Sequence, residues 1–103
     1  MVYSVVFNRL SHTDIKKIDS YLFSKWGGNS VMKFHNILSE FKRTVSKSPT
    51  VGVVCKIIKG KEIRQYPITK QNMILHRIEG SKIKILKIFD VRQHPNKKLQ
   101  GIK

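Results

Sequence analysis

Five side chains in this sequence carry an imidazole or a thiol, the groups that most often bind zinc and that also act as bases or nucleophiles. They are four histidines and a single cysteine: His12, His35, His76, His94 and Cys55. Their spacing matches no zinc-binding pattern, so we expect no metal ion and no cofactor. The lone cysteine cannot form an internal disulfide, and its apolar neighbours predict a buried thiol rather than a nucleophile. His76 falls in a predicted strand and is expected to be structural.

Positive charge dominates the composition. The chain carries 21 lysines and arginines against 6 acidic residues, a formal net charge of +15. Residues 51–103 hold 13 of the basic side chains and 3 of the acidic ones, so most of the excess lies in the second half. A field of this sign attracts polyanions or an acidic partner protein. The alternative is a coat of lysines that only keeps the protein in solution.

The length of 103 residues, of which 40% are hydrophobic, fits one domain with a modest core. We expect residues 1–98 to form that domain and residues 99–103 to be a basic C-terminal tail. The apolar run at 2–7 is too short for a signal peptide, and no window is long enough for a membrane span. The expected location is therefore the cytoplasm, with no membrane partner.

Apolar residues recur at helical spacing in two segments separated by Gly27-Gly28. The first stripe is Ile15, Ile18, Leu22 and Trp26, and the second is Val31, Phe34, Leu38, Phe41 and Val45. Ser11 or Thr13 is the predicted cap of the first helix, with Asp14 in its first turn. Asn29 or Ser30 is predicted to start the second helix. The two glycines between such segments predict an antiparallel helical hairpin.

Runs of β-branched and aromatic residues predict the strands. They are 2–7, 63–68, 73–78 and 82–89, with a weaker signal at 53–58. Pro67 marks an edge strand or a strand end. Gly80-Ser81 predicts a two-residue hairpin turn. Residues 82–89 are apolar on both faces, which indicates the central strand.

The order β-α-α-β-β-β predicts an α+β fold. We expect a three- or four-stranded, largely antiparallel sheet with the helical hairpin packed on one face, because the apolar stripes of the helices must be buried there. The predicted core residues come from both layers: Ile18, Leu22, Phe34, Leu38, Phe41, Ile85 and Ile88.

Four short motifs lie where these predicted elements begin and end. They are Trp26-Gly27 between the helices, Pro49–Gly52 after the second helix, Ile63-Arg64 at the start of a strand, and Asp90–Pro95 after the last strand. The chain resembles the RelE/ParE superfamily of toxins, whose members have, in this order, a W-G pair, a P-x-x-G turn and a hydrophobic–arginine pair. The D-x-R-Q-x-P ending is similar to that of ParE-like plasmid-stabilisation toxins. The resemblance spans about residues 2–98.

This resemblance implies a toxin of a type II toxin–antitoxin system, neutralised by a cognate acidic antitoxin. An antitoxin that is partly disordered when alone would be steered to the basic chain by charge. Its apolar anchors would then dock in grooves between the helical hairpin and the sheet, and the segment would fold as it binds.

The resemblance also implies two different activities. RelE-like members are mRNA interferases that cleave on the ribosome, whereas ParE-like members inhibit DNA gyrase. Cleavage through the 2′-hydroxyl needs a base, an acid and cations that stabilise the phosphorane. If the chain is a metal-independent nuclease, Arg64, Arg92 and His94 are its catalytic residues. Tyr66 and Met73 stand where nuclease members have cations, so the set is incomplete and we favour gyrase.

Each catalytic candidate also has a structural alternative. Arg64 can pair with Glu62, Arg92 can pair with Asp90, and His94 can be an exposed turn residue.

Basic and aromatic residues of the second half are the expected contacts with the target, whether that is gyrase or the ribosome with mRNA. The predicted target-binding residues are Lys59, Lys61, Arg64, Tyr66, Arg77 and Arg92. A plain basic nucleic-acid-binding module remains a third hypothesis, which explains the charge but not the Asp90–Pro95 ending. Stacking of bases on the sheet would need more aromatic residues than Tyr66 and Phe89 supply.

Overall fold

The structure is a computed structural model that describes residues 2–91. In chain order its elements are β1 Ser4–Phe7, α1 Arg9–Trp26, α2 Gly28–Lys47, β2 Val53–Ile58, β3 Lys61–Pro67, β4 Asn72–Glu79 and β5 Lys82–Asp90. The five strands form one sheet in the order β1-β5-β4-β3-β2. β1 runs parallel to β5, and all other neighbours are antiparallel. No helix among the described residues is long and apolar enough to cross a membrane.

The predicted α+β class and helical hairpin are confirmed, but the strand count was too low. The segment 53–58 is a full strand that pairs with β3, and β1 joins β5 in parallel, so the sheet has five strands. Pro67 ends β3, which lies between β2 and β4, so the strand-end interpretation is correct and the edge interpretation is wrong. The predicted domain boundary at residue 98 lies outside the described residues.

The first helix begins earlier than predicted. Asn8 is its N-cap, because the Asn8 Oδ1 accepts a hydrogen bond of 2.9 Å from the backbone N–H of Ser11. Ser11 is therefore inside the helix, where it is fully buried and its Oγ donates to the Asn8 carbonyl. Thr13 donates in the same way to the carbonyl of Arg9. Neither residue is the cap, since Asn8 follows directly on the end of β1.

Gly27 both ends the first helix and precedes the second. Its N–H donates to the Phe23 carbonyl, and its φ of 87° lies in the region that favours glycine. The second helix starts at Gly28 with Gly27 as its cap, so the caps predicted at Asn29 and Ser30 were wrong.

The helical hairpin covers one face of the sheet. The buried side chains of this layer come from α2, β4 and β5: Phe34, Leu38, Phe41, Val45, Ile74, Ile83, Ile85 and Ile88. Ile18 and Leu22 of α1 are partly buried against them, as predicted. Trp26 does not belong to this core, because it lies at the hairpin turn and is 68% exposed.

The face of the sheet that points away from the helices, here called the outer face, is also apolar at its centre. Its buried residues are Ile63, Leu75, Leu86 and Phe89. Cys55 packs against this cluster but is only partly buried, rather than buried as predicted, since β2 is one of the two edge strands. β5 is therefore apolar on both faces and lies inside the sheet, although the middle strand is β4 and not β5 as predicted. The predicted two-residue turn is also present, with Glu79 and Lys82 paired across it.

We expect truncation of the α2 core to be costly. Leu38→Ala and Phe41→Ala should each lower the free energy of unfolding by about 2–5 kcal/mol, because each removes a buried side chain and leaves a cavity. Met32→Ala is the matched control, since Met32 lies on the same helix and is 65% exposed. Urea denaturation measures the three changes. A cost for Met32→Ala as large as for the other two would contradict the helix orientation.

Candidate functional site

Three cations meet one carboxylate on the outer face, at the end of the sheet where β3 and β5 begin and β4 ends. Arg77 donates a hydrogen bond to Glu79 Oε2. The Lys61 Nζ lies 3.9 Å from Glu79 Oε2, and the Lys84 Nζ lies 3.6 Å from Oε1. We call Lys61, Arg77, Glu79 and Lys84 the Glu79 cluster. Pairing of the strands brings them together, since Arg77 lies opposite Lys84 in the β4–β5 ladder.

The carboxylate of the Glu79 cluster is held in its charged form. The hydrogen bond from Arg77, and then the charges of Arg77, Lys84 and Lys61, lower the pKa of Glu79 below its ordinary 4.5. Three positive charges and one negative charge leave the cluster at +2. Lys61 and Lys84 remain 49% and 38% exposed, so their ammonium groups are open to an anionic partner.

Only part of the predicted target-binding set lies here. Lys61 and Arg77 are in the cluster, whereas Arg64 and Tyr66 point to the opposite, helix-facing side of β3, because neighbouring residues of a strand alternate between faces. The ring of Tyr66 lies 5.2 Å from that of Phe41 in the helix-facing core. Sequence reasoning missed Lys84, since its place beside Arg77 depends on the register of the β4–β5 ladder.

Lys59 lies in the turn between β2 and β3, two residues before Lys61. Its φ is 52°, and Gly60 beside it has φ 77°. Two-residue hairpin turns with positive φ at both positions are usually Asn-Gly or Asp-Gly, because other side chains are strained there. The lysine therefore places a cation at the tip of the hairpin at some cost in stability.

Arg64 holds the connection between α2 and β2. Its Nη1 donates to the carbonyls of Thr50 at 2.8 Å and Gly52 at 3.4 Å, and its Nη2 lies 3.3 Å from Glu62 Oε1. The side chain is only 17% exposed. The predicted pairing with Glu62 is thus present, together with two backbone contacts that the sequence did not reveal.

His76 contacts the connection between α2 and β2 from the buried side. It is fully buried, its Nε2 lies 2.9 Å from the Pro49 carbonyl, and its Nδ1 has no hydrogen-bond partner among the described residues. Burial, opposed by the bond to Pro49 and assisted by the charge of Arg64, lowers the pKa of His76 below 6.5. The imidazole is therefore neutral at pH 7 and structural, as predicted.

Glycine is required at the end of this connection. Gly52 has a φ of 87°, and a Cβ atom there would lie 2.3 Å from the backbone oxygen of Gln65. This close approach explains the glycine of the P-x-x-G motif in physical terms.

The remaining catalytic candidates, Arg92 and His94, lie outside the described residues, so only Arg64 of the predicted set is placed. Within residues 2–91, no group of three or more histidine, cysteine or acidic side chains could hold a metal ion.

Several grooves lie between the helical hairpin and the sheet, and two of them border the ends of β3, β4 and β5. The first lies between α2 and the end of β3, and its apolar lining is Ile37, Phe41, Tyr66, Pro67 and Ile68. The second lies between α1 and the ends of β4 and β5, and its lining includes Asp14, Lys17, Ile18, Tyr21, Leu22 and Phe89.

Asp14 links α1 to β5 beside the second groove. It was predicted in the first turn of α1, but the helix starts at Arg9, so it lies one turn further along. Its Oδ2 accepts a hydrogen bond of 2.9 Å from the backbone N–H of Ile88, and Lys87 Nζ lies 3.8 Å from its Oδ1. Burial raises the pKa of Asp14, while these two partners oppose the rise.

Comparison with known proteins identifies the fold. No protein-family model matches the chain, and no curated protein matches it. The chromosomal ParDE TA system from P. aeruginosa matches with a TM-score of 0.71 and 17% identity, over 87% of this chain and 97% of that chain. The YoeB/ParE toxin from Agrobacterium tumefaciens matches with a TM-score of 0.51 and 16% identity, over 84% and 96%. The chain has the RelE/ParE fold, which confirms the fold that the motifs implied.

We expect the stability of the protein to fall as the pH drops below 6.5. Unfolded His76 binds a proton near its ordinary pKa of 6.5, whereas the folded side chain resists protonation until a lower pH. The unfolded state then binds more protons, so the free energy of unfolding falls by up to about 1.4 kcal/mol per pH unit. Well above pH 6.5 both states are neutral at this side chain and the contribution is constant.

Urea denaturation between about pH 7.5 and about pH 5.5 tests this dependence. A His76→Gln variant is the control, because it loses the titrating group and keeps a polar side chain. Equal pH slopes for the two proteins would show that His76 does not cause the effect.

Replacing the strained lysine should stabilise the hairpin. Lys59→Asn is expected to raise the free energy of unfolding by about 1 kcal/mol, since asparagine tolerates a positive φ. Lys56→Asn removes the same charge from a strand residue without positive φ and should give no gain. Thermal or urea unfolding compares the two variants. Equal effects would mean that charge, rather than backbone strain, is responsible.

Proposed function

We propose that this protein is the toxin of a type II toxin–antitoxin system, acting in the cytoplasm and held by a cognate acidic antitoxin. The observation that carries the proposal is the fold shared with a chain of the ParDE TA system and with the YoeB/ParE toxin, over 97% and 96% of those chains. The four motifs of the sequence support the same assignment.

The surface of the helical hairpin supports an antitoxin partner. Phe23, Trp26 and Met32 are 65%, 68% and 65% exposed, and Tyr21 is 51% exposed beside the second groove. Covering such side chains removes apolar area from water, which favours a bound partner. The net charge of +15 attracts an acidic segment to the protein as a whole. A segment that folds on binding could occupy both grooves.

Gyrase-directed action is the proposed mode, with mRNA cleavage as the alternative. The guanidinium of Arg64 contacts two backbone carbonyls and Glu62, which is a structural use of the residue. His76 beside it is buried and therefore unavailable to a substrate. The Glu79 cluster and Lys59 are the proposed target contacts among the described residues, with Arg92 as a further one.

Expression in growing cells tests the proposal. We expect growth arrest with induced DNA damage and intact mRNA, and rescue by co-expression of the adjacent small acidic reading frame. Lys61→Glu with Lys84→Glu should abolish arrest, because the charge of the target-facing cluster is reversed. Lys16→Glu with Lys33→Glu makes the same charge change on exposed helix positions and should leave arrest unchanged.

Two outcomes would contradict parts of this proposal. Cleavage of mRNA inside codons that disappears in an Arg64→Ala, Arg92→Ala variant of normal thermal stability would establish the nuclease alternative. If neither neighbouring gene product forms a complex with this protein in a pull-down, the toxin–antitoxin assignment is rejected.

A further inference from the structure

The outer face carries a band of cations at the end of the sheet where the Glu79 cluster lies. Lys61 is on β3, Arg77 on β4 and Lys84 on β5, and these three strands are neighbours in the sheet. Lys82 joins them, because it lies opposite Glu79 in the β4–β5 ladder and is exposed. Neighbouring strands lie about 4.8 Å apart, so the four cations spread over roughly 10 Å across the strands.

Carboxylates are scarce around this band. Glu62 precedes the outer-face residue Ile63 on β3, but it faces the other side of the strand and lies 3.3 Å from Arg64. The remaining acidic residues apart from Glu79 are on the helices or at the far end of β5: Asp14, Asp19, Glu40 and Asp90. Four cations and the one carboxylate of Glu79 give the band a net charge of +3, which attracts an anionic ligand.

The outer face favours a phosphate backbone over stacked bases. Single-stranded nucleic acids are bound largely by stacking of bases on exposed aromatic side chains. Phe89, the aromatic residue of the outer-face core, is only 8% exposed, and Tyr66 packs on the helix-facing side. Phosphates on each strand of duplex DNA are separated by about 3.4 Å of axis rise, so cations spread over roughly 10 Å can meet about three of them.

We propose that the Glu79 cluster, together with Lys82, binds the phosphate backbone of duplex DNA. This DNA would be the DNA on which gyrase acts, so the site rests on the proposed gyrase-directed function. The cluster would then contact the nucleic acid of the target and not only its protein surface.

Glu79 holds the cations in place until a phosphate arrives. It accepts a hydrogen bond from Arg77, which is only 15% exposed. The ammonium groups of Lys61 and Lys84 are more exposed and lie 3.9 and 3.6 Å from its oxygens, which is longer than a direct hydrogen bond. Both lysines can therefore turn to a phosphate while Arg77 stays bonded to the carboxylate. The same carboxylate competes with DNA for the lysines and repels its phosphates.

Fluorescence anisotropy of the purified full chain tests the site, with a labelled duplex of about 20 base pairs at about 50 to 200 mM salt. Lys61→Gln with Lys84→Gln should weaken binding about tenfold or more, and the slope of log affinity against log salt should become shallower by about 2. Each lysine that meets a phosphate releases a counterion, which is the cause of the slope. Lys16→Gln with Lys33→Gln removes the same charge from exposed helix positions and should have little effect.

Glu79→Gln should have an effect of the opposite sign. Binding should tighten about threefold or more, because glutamine removes the charge that competes for the lysines. Glu62→Gln is the matched control, since it removes a carboxylate that is 54% exposed on the other side of β3, and its gain should be smaller. A residue that only held the strands together would weaken binding when replaced. Urea denaturation checks that each variant is folded.

Three outcomes would overturn the proposal. The first is an equal loss of affinity in the two lysine pairs, and the second is unchanged or weaker binding by a folded Glu79→Gln variant. The third is a single-stranded RNA of the same length that binds as tightly as the duplex.

Growth arrest separates this site from the proposed function. If Lys61→Gln with Lys84→Gln abolishes arrest but leaves DNA affinity unchanged, the cluster contacts protein, so the DNA site is rejected and the gyrase-directed function stands. If DNA binding follows the expected pattern but expression causes no arrest, the DNA site stands and the proposed function is rejected.

Discussion

The packing of α2 against β4 and β5 holds the rest of the structure in place. One stripe of the helix is buried against one face of the two strands, while the outer face of the same strands has its own apolar centre. Among the described polar and charged residues only Ser11 and His76 are buried, and the others are at least partly exposed. The Glu79 cluster lies at one end of the sheet, because the interior of the outer face is occupied by residues such as Leu75 and Leu86.

The connection from α2 to β2 is held by side chains of β3 and β4. His76 contacts Pro49, Arg64 contacts Thr50 and Gly52, and no larger residue than glycine fits at position 52. These contacts give the P-x-x-G motif a structural explanation. They also indicate a structural role for Arg64. A guanidinium that binds backbone carbonyls positions a loop and is less free to contact a substrate phosphate.

Periodicity predicted the layers well, whereas single residues at boundaries were predicted less well. The spacing of Phe34, Leu38 and Phe41 has one solution, a helix with a buried face, and the structure confirms it. The cap was missed because Asn8 precedes two other good capping residues, and choosing among them requires the end of β1. Trp26 continues the stripe in sequence, but the sheet does not extend beneath it. Short-range patterns contain no information on such long-range limits.

The sequence likewise predicted the general charge of the candidate site but not its detailed geometry. Charge in the second half of the chain indicated a basic surface, but pairing of Lys61 and Arg77 with Lys84 around Glu79 depends on strand register. A lysine in a positive-φ turn position adds strain at the tip of the neighbouring hairpin. Concentrated like charge and a strained turn both reduce the stability of an isolated domain. An anionic partner would offset the repulsion between the lysines, which agrees with the target contacts proposed at this end of the sheet.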